Sequence, residues 1–174
     1  NMGLIHIYCG NGKGKTTASI GLSMRALGNG MRVHFVQLLK GDYTSELNSL
    51  KSIPNLTIDR CNKNFGFTLS MDEQSKIDIT NVHNKILLNC ERLMQSNAID
   101  MLVIDEFNCA YEYNLLDKSI ADRIVFNKPS SIELVLTGRN PHEKFIQVAD
   151  YVSEIKSIKH PFNKGILARK GIEY

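Results

Sequence analysis

The residues best suited to chemistry stand together near the start of the chain, in Cys9-Gly10-Asn11-Gly12-Lys13-Gly14-Lys15-Thr16-Thr17. Glycines let successive backbone N–H groups turn towards an anion, so Gly10, Gly12 and Gly14 are expected at positive φ around a nest of donors. Lys15 supplies a mobile positive charge for outer phosphates, and the Thr16 hydroxyl is a ligand type suited to Mg²⁺. Lys13 adds charge at the periphery. A helix starting after Gly14 would aim its positive dipole end and first amides at the same anion. The usual pattern G-x-x-x-x-G-K-[ST] would have glycine at position 9, where this chain has cysteine. Cys9 reads as a small buried thiol, because no cysteine or histidine pattern near it supports metal or nucleophilic chemistry. The plainer alternative is a glycine-rich turn that only joins strand to helix.

A second informative segment is Met101-Leu102-Val103-Ile104-Asp105-Glu106, four apolar residues running directly into two carboxylates. A buried parallel strand ending in acids would bring negative charge beside the phosphate loop, where one carboxylate can reach a Mg²⁺ ion or its waters. Alone, the segment also reads as an acidic turn after a core strand. Gln37 and Lys40 fall at the carboxyl end of another apolar strand, and Arg139 lies in the polar run Thr137 to Pro141 after a third. In open α/β sheets ligands bind at the carboxyl ends of strands. Arg25 stands ten residues beyond Lys15, about 15 Å along a helix, where it would touch only the far part of a nucleotide or form a surface salt bridge.

These residues need a scaffold, and the apolar pattern supplies one. The β-prone run Leu4–Tyr8 precedes the loop, and a helix with Ile20, Met24 and Leu27 on one face follows it. Next come strand 32–39, a short helix from an N-cap at Thr44 to Ile53, and strand 56–61. Ser70 and Glu73 form a capping box for a long helix to Ser96 whose apolar stripe is Ile79, Val82, Ile86, Leu87, Cys90, Leu93 and Met94. The chain closes with helix 115–126, strand 132–136, helix 142–149 and a last strand 150–159. Alternating strands and helices argue for a mostly parallel sheet with right-handed crossovers, in three layers with helices on both faces.

The 174 residues fit one domain, 1–174, large enough to bury a core. A net charge of +3 with scattered lysines and arginines excludes a nucleic-acid stripe. The four cysteines form no C-x-x-C pair, and no apolar run reaches the ~20 residues of a membrane span. A cytoplasmic protein with no membrane partner is expected. Asn1 ahead of Met2 reads as a cloning remnant.

Beyond a nucleotide enzyme, several stretches together resemble one family, the phosphate-loop type of ATP:corrinoid adenosyltransferase. They are Gly10 to Thr17, Arg25-Ala26-Leu27-Gly28, Val36-Gln37 with Lys40-Gly41, Gly66-Phe67-Thr68, Asp105-Glu106, Thr137-Gly138-Arg139, Ala149-Asp150, Lys159-His160-Pro161-Phe162 and Gly171-Ile172-Glu173-Tyr174. The resemblance implies the phosphate-loop NTPase (RecA-like) architecture. It also implies transfer of the 5′-deoxyadenosyl group of ATP to the Co(I) centre of a cob(I)alamin or cobinamide-type corrinoid, with release of triphosphate, in adenosylcobalamin synthesis or salvage. Asn11 to Thr17 would cradle the polyphosphate in a reversed sense, and Thr16 and Glu106 would hold Mg²⁺ or Mn²⁺ with Asp105 nearby. Lys15, Thr16 and Glu106 would be the catalytic residues, and Arg25 and Arg139 would contact ATP. Phe67, with Leu69 where the family often has tryptophan, would displace the lower axial base of the corrinoid. A homodimer and an electron-donating reductase or flavodoxin-like protein are implied partners. Two other readings are a phosphate-loop kinase, which would release ADP, and a nucleotide-dependent switch or corrinoid carrier, which would leave ATP intact.

Overall fold

Among the described residues, six strands are interleaved with six α-helices, two of them consecutive between the fourth and fifth strands. The computed structural model of the protein describes residues 2–39, 44–61 and 70–174. In order they form β1 (Ile5–Cys9), α1 (Lys15–Gly28), β2 (Val33–Gln37), α2 (Glu46–Leu50), β3 (Leu56–Arg60), α3 (Glu73–Gln95), β4 (Met101–Asp105), α4 (Phe107–Glu112), α5 (Lys118–Phe126), β5 (Glu133–Thr137), α6 (Glu143–Val148) and β6 (Tyr151–Glu154). The strand order is β3-β2-β4-β5-β1-β6, and every described pairing is parallel. Since β5 lies between β1 and β4, its carboxyl end at Thr137 falls between the glycine loop and Asp105.

Strand periodicity sends alternate residues to opposite faces of the sheet. Ile7, Leu102, Ile104, Leu134 and Leu136 pack on one side with α3 and α5, through Ile86, Leu87, Cys90, Ile120 and Ile124. Phe35, Met101, Val103 and Val135 pack on the other side with Ala26 of α1. This is an α/β fold with the layered architecture of phosphate-loop NTPases, and β2 and β4 are buried along their whole length.

Several local expectations are corrected. Helix α1 buries Ser19, Ser23 and Ala26, whereas Ile20 and Leu27 are only partly buried and Met24 is exposed. Small side chains bring the helix close to the sheet, and the two serines satisfy their hydroxyls on Thr16 and Ser19 carbonyls at 2.7 and 2.8 Å. Asp72 caps α3, accepting from the Ser75 amide at 2.7 Å, so the helix begins at Glu73 and not at Ser70. Asp117 caps α5, and Leu115 and Leu116 enter the core ahead of that helix. Helix α2 spans only Glu46–Leu50, with Ser45 at its start. Strand β6 ends at Glu154, because Ile155 turns its amide to Cys9 O (2.8 Å) and its carbonyl to the Gly12 amide (2.8 Å).

The stripe of α3 also contains His83, a polar residue among apolar ones and fully buried. Burial pushes its pKa down from 6.5 to about 4. The fold therefore favours neutral His83 over the charged form. As pH falls through 6.5 the unfolded chain takes up a proton that the folded chain refuses until about 4, so stability should drop across that window. At 1.36 kcal/mol per pKa unit the loss is on the order of 3 kcal/mol. Urea unfolding at pH 7 and pH 4.5 measures it, and His83→Gln should flatten the difference between the two.

Candidate active site

The glycine loop leaves β1 and enters α1, and β6 fixes its course. A Cβ at Gly10 would lie 2.3 Å from Ile155 O, and one at Gly12 would lie 2.7 Å from Ile155 Cγ2 and 2.8 Å from Ile155 O. Gly10 (φ 97) and Gly14 (φ 120) take the positive φ expected of them, but Gly12 does not. What Gly12 requires is room beside Ile155. The amides of Gly10 and Gly12 are bonded to Arg139 O (3.1 Å) and Ile155 O (2.8 Å), so they brace the loop and do not face an anion. A donor nest would draw on the other loop amides and the first turn of α1.

Four residues form the centre of the site. Thr16 Oγ1 donates to Asp105, at 2.9 Å from Oδ1 and 3.1 Å from Oδ2. Thr137 Oγ1 donates to the same Oδ1 at 2.6 Å and accepts the Glu106 amide at 3.0 Å. Glu106, at φ 62, turns the chain from β4 into α4. Thus the fully buried Asp105 ties loop, β4 and β5 together and leaves Glu106 on the cavity lining. Gly138 (φ 138) closes the turn after Thr137, where a Cβ would meet Asn108 Cβ at 2.8 Å.

A cavity of about 660 Å³ opens over this centre. Gly12, Lys13, Gly14, Lys15, Thr16, Thr17 and Glu106 line one side, and Ile20, Thr44, Ser45, Glu46 and Ser49 line another. Gly171 to Tyr174 complete the wall, held by Ser45 Oγ donating to Tyr174 O at 2.9 Å and by Lys13 at 3.7 Å from Glu173. Arg169 pairs with Glu173 at 3.0 Å and, with its own backbone amide, holds that carboxyl at about 2. Lys15 reaches Gly12 O at 2.8 Å. Its pKa is lowered by burial, opposed by Glu106, assisted by Arg139 and opposed again by Asp105.

The remaining anticipated residues are distributed unevenly. Gly10, Asn11 and Arg139 line a second cavity, of about 730 Å³, on the other side of the loop, where Asn11 Oδ1 accepts the Ser157 amide at 3.1 Å. Cys9 is buried, and its thiol pKa is raised by burial and by Glu154. Arg25 is exposed on the last turn of α1, outside the lining of both cavities. Lys40, Phe67 and Leu69 lie outside the described residues. Gln37, in register with Asp105, donates from Nε2 to Glu46 at 3.3 Å, while its Oε1 is buried and unpartnered among the described residues. On the cavity lining itself, the Thr16 hydroxyl and the Glu106 carboxylate are oxygen ligands of the type that fits a hydrated hard cation. Reasoning from sequence alone did not find Thr137 as a partner of Asp105, or Thr44 to Ser49 and the 171–174 segment as cavity walls. The polar strand end at Thr137 and the resemblance at Gly171 to Tyr174 were the signals present.

Fold and site together define a nucleotide-binding protein of the phosphate-loop class. Sequence comparison narrows the class: the family model for ATP:corrinoid adenosyltransferase BtuR/CobO/CobP matches residues 1–174. The corrinoid adenosyltransferase of Escherichia coli strain K12 is 31% identical over 172 residues, covering 99% of this chain and 86% of that protein. Corrinoid adenosyltransferase CobA of Salmonella typhimurium is 32% identical over 174 residues, with 99% and 86% covered. The corrinoid adenosyltransferase of a Sinorhizobium species is 34% identical over 176 residues, with 99% and 80% covered. The chain belongs to the ATP:corrinoid adenosyltransferase family.

The Asp105 bridge gives a direct test. In Thr137→Val, Asp105 loses one donor and the Glu106 amide loses its acceptor. Leaving buried polar groups unsatisfied should cost about 1–3 kcal/mol of unfolding free energy. Affinity for Mg-ATP, followed by calorimetry, should weaken at least tenfold as Glu106 is released.

Proposed function

We infer that this chain transfers the 5′-deoxyadenosyl group of ATP to the Co(I) centre of a reduced corrinoid and releases triphosphate. Co(I) of the corrinoid substrate attacks C5′ with its own electron pair, the Co–C bond forms, and the C5′–O bond breaks with the pair leaving on triphosphate. The protein then needs no general base. Its residues must hold C5′ in line and stabilise charge on the leaving group. The observation that carries the reading is the cavity in which Lys15, the start of α1 and Glu106 converge, taken with family membership over the whole chain.

Lys15 moves from Gly12 O to the polyphosphate and neutralises the developing charge. Thr16 and Glu106, with Asp105 behind them, would hold Mg²⁺ or Mn²⁺. When bound, the ion screens the triphosphate oxygens. Asn11 and Arg139, on the far side of the loop, extend the polyphosphate track, which supports a chain running through the loop with the nucleoside towards Ile20 and Ser49. Arg25 is too far down α1 for the triphosphate and acts, if anywhere, on a distal group. Phe67 and Leu69 take the corrinoid role by resemblance. We further propose that residues 1–174 work as one domain in the cytoplasm, as a homodimer supplied with electrons by a reductase or flavodoxin-like protein. The exposed apolar side chains Tyr151 and Val152 on the open sheet edge support an association surface. Among the described residues no helix is long and apolar enough to cross a membrane.

An anaerobic reaction with Mg-ATP and chemically reduced cob(I)alamin tests the function. Co–C bond formation, read in the corrinoid spectrum, should accompany one triphosphate per turnover, and Lys15→Ala should lower the rate by about a thousandfold, ~4 kcal/mol of leaving-group stabilisation. Unalkylated corrinoid together with ADP would make the chain a kinase or ATPase instead.

A further inference from the structure

His83 belongs to none of the groups discussed above as phosphate or metal contacts, yet both of its ring nitrogens are committed. Nε2 lies 3.1 Å from the Leu39 amide and Nδ1 lies 2.6 Å from Leu115 O. An amide can only donate and a carbonyl can only accept, so the tautomer is fixed: Nδ1 carries the proton and Nε2 accepts. The two partners come from different parts of the fold, and each lies just beyond an element that builds the cavity.

Leu39 is where the chain leaves β2. The preceding Leu38 amide is still bonded to Asp105 O at 3.1 Å, and Leu39 itself has φ 63, a left-handed conformation that is uncommon for a residue with a branched side chain. Residues 40–43 separate it in sequence from Thr44, the first residue of the cavity wall, and Gln37 on its other side bonds to Glu46 of the same wall. Leu115 follows α4, the helix that Glu106 opens, and its amide bonds back to Ala110 O at 2.9 Å. His83 therefore holds together the exit from β2 and the far end of the Glu106 helix from beneath the sheet.

We propose that His83 is a positioning residue for the nucleotide site: by accepting from the Leu39 amide it fixes the left-handed exit from β2, and with it Gln37, which donates to Glu46 in the wall that shares the cavity with Lys15 and Glu106. The inference rests on the reading of this cavity as the ATP site. It predicts that the two bonds are unequal in function. The Leu39 bond governs nucleotide affinity, and the Leu115 bond governs stability alone.

Asparagine and glutamine separate them, because the amide of asparagine reaches the position of Nδ1 and that of glutamine reaches the position of Nε2. His83→Gln keeps an acceptor for Leu39, whereas His83→Asn keeps only the donor to Leu115. Calorimetric titration of the full chain with Mg-ATP should give a Kd raised about tenfold in His83→Asn and within threefold of the parent in His83→Gln. KM for ATP should follow Kd while kcat at saturating ATP stays within threefold. Equal Kd values in the two variants, whatever their Tm, would overturn the proposal and leave His83 a purely structural residue.

If His83→Asn does not fold, the parent protein supplies the second measurement. Coupling is reciprocal, so saturating Mg-ATP must strengthen the Leu39 bond by the same factor with which the bond aids ATP binding. Amide exchange at Leu39 should slow about tenfold on adding Mg-ATP, and an unchanged rate would overturn the proposal. A parent protein that binds Mg-ATP but never alkylates the corrinoid would defeat the transfer reaction while leaving this result to be judged on Kd. One that does not bind Mg-ATP at all would defeat both.

Discussion

A single carboxylate that water never reaches organises this site. Asp105 closes a strand buried over its full length, and it receives the hydroxyls of Thr16 and Thr137. A buried carboxylate without donors would be costly, and two hydroxyl donors at 2.6–3.1 Å make its place tolerable. The arrangement requires loop, β5 and β4 to be adjacent, which is why the insertion of β5 between β1 and β4 is functional as well as topological. Because the Thr137 proton is committed to Asp105, its oxygen lone pair is available for the Glu106 amide, and that bond steadies a left-handed turn. The charge that lines the cavity, Glu106, is thus positioned by one that does not.

The glycine loop is shaped by a similar economy of contacts. Its first two glycine amides are bonded to Arg139 O in the turn after β5 and to Ile155 O just past β6, so these two brace the loop. Ile155 is the reason: its carbonyl sits so close to Gly10 and Gly12 that neither position admits a Cβ. The residue that follows an edge strand exposed along its whole length therefore fixes the path of the loop from outside.

The fold was largely legible in the sequence because its signals are local. Short apolar runs such as Met101 to Ile104, bounded by polar residues, suit buried strands, and Asn29, Gly30, Asn127 and Pro129 mark where helices stop. The anion loop and Asp105-Glu106 were legible because their chemistry lies in contiguous residues. What escaped was set by tertiary contact. Gly12 looks like a glycine that needs positive φ until Ile155 is placed beside it. Ser19, Ser23 and Ala26 make a weak apolar face, yet closeness to the sheet buries them in preference to Met24. His83 reads as a polar interruption of a stripe, and its two partners are 44 and 32 residues away. The Gly171 to Tyr174 wall was visible only as a resemblance, since no periodicity connects it to a loop at the other end of the chain.

The state of the thiols and histidines bears on which chemistry this cavity can host. Burial raises the Cys9 thiol, assisted by Glu154, and burial with Glu106 nearby pushes Cys109 up to about 11. Both thus remain protonated at neutral pH and are poor nucleophiles. His83, committed at both nitrogens, is no proton acceptor for a substrate. Of the carboxylates at the centre, Asp105 is occupied by hydroxyls, and Glu106 faces Lys15 across the cavity. A kinase acting on a hydroxyl would have to draw its base from this set, against the electrostatics that suit the set to binding a cation and a polyphosphate. A substrate that brings its own electron pair, as Co(I) does, asks only for what the site supplies: fixed positive charge, a shaped wall and a held leaving group.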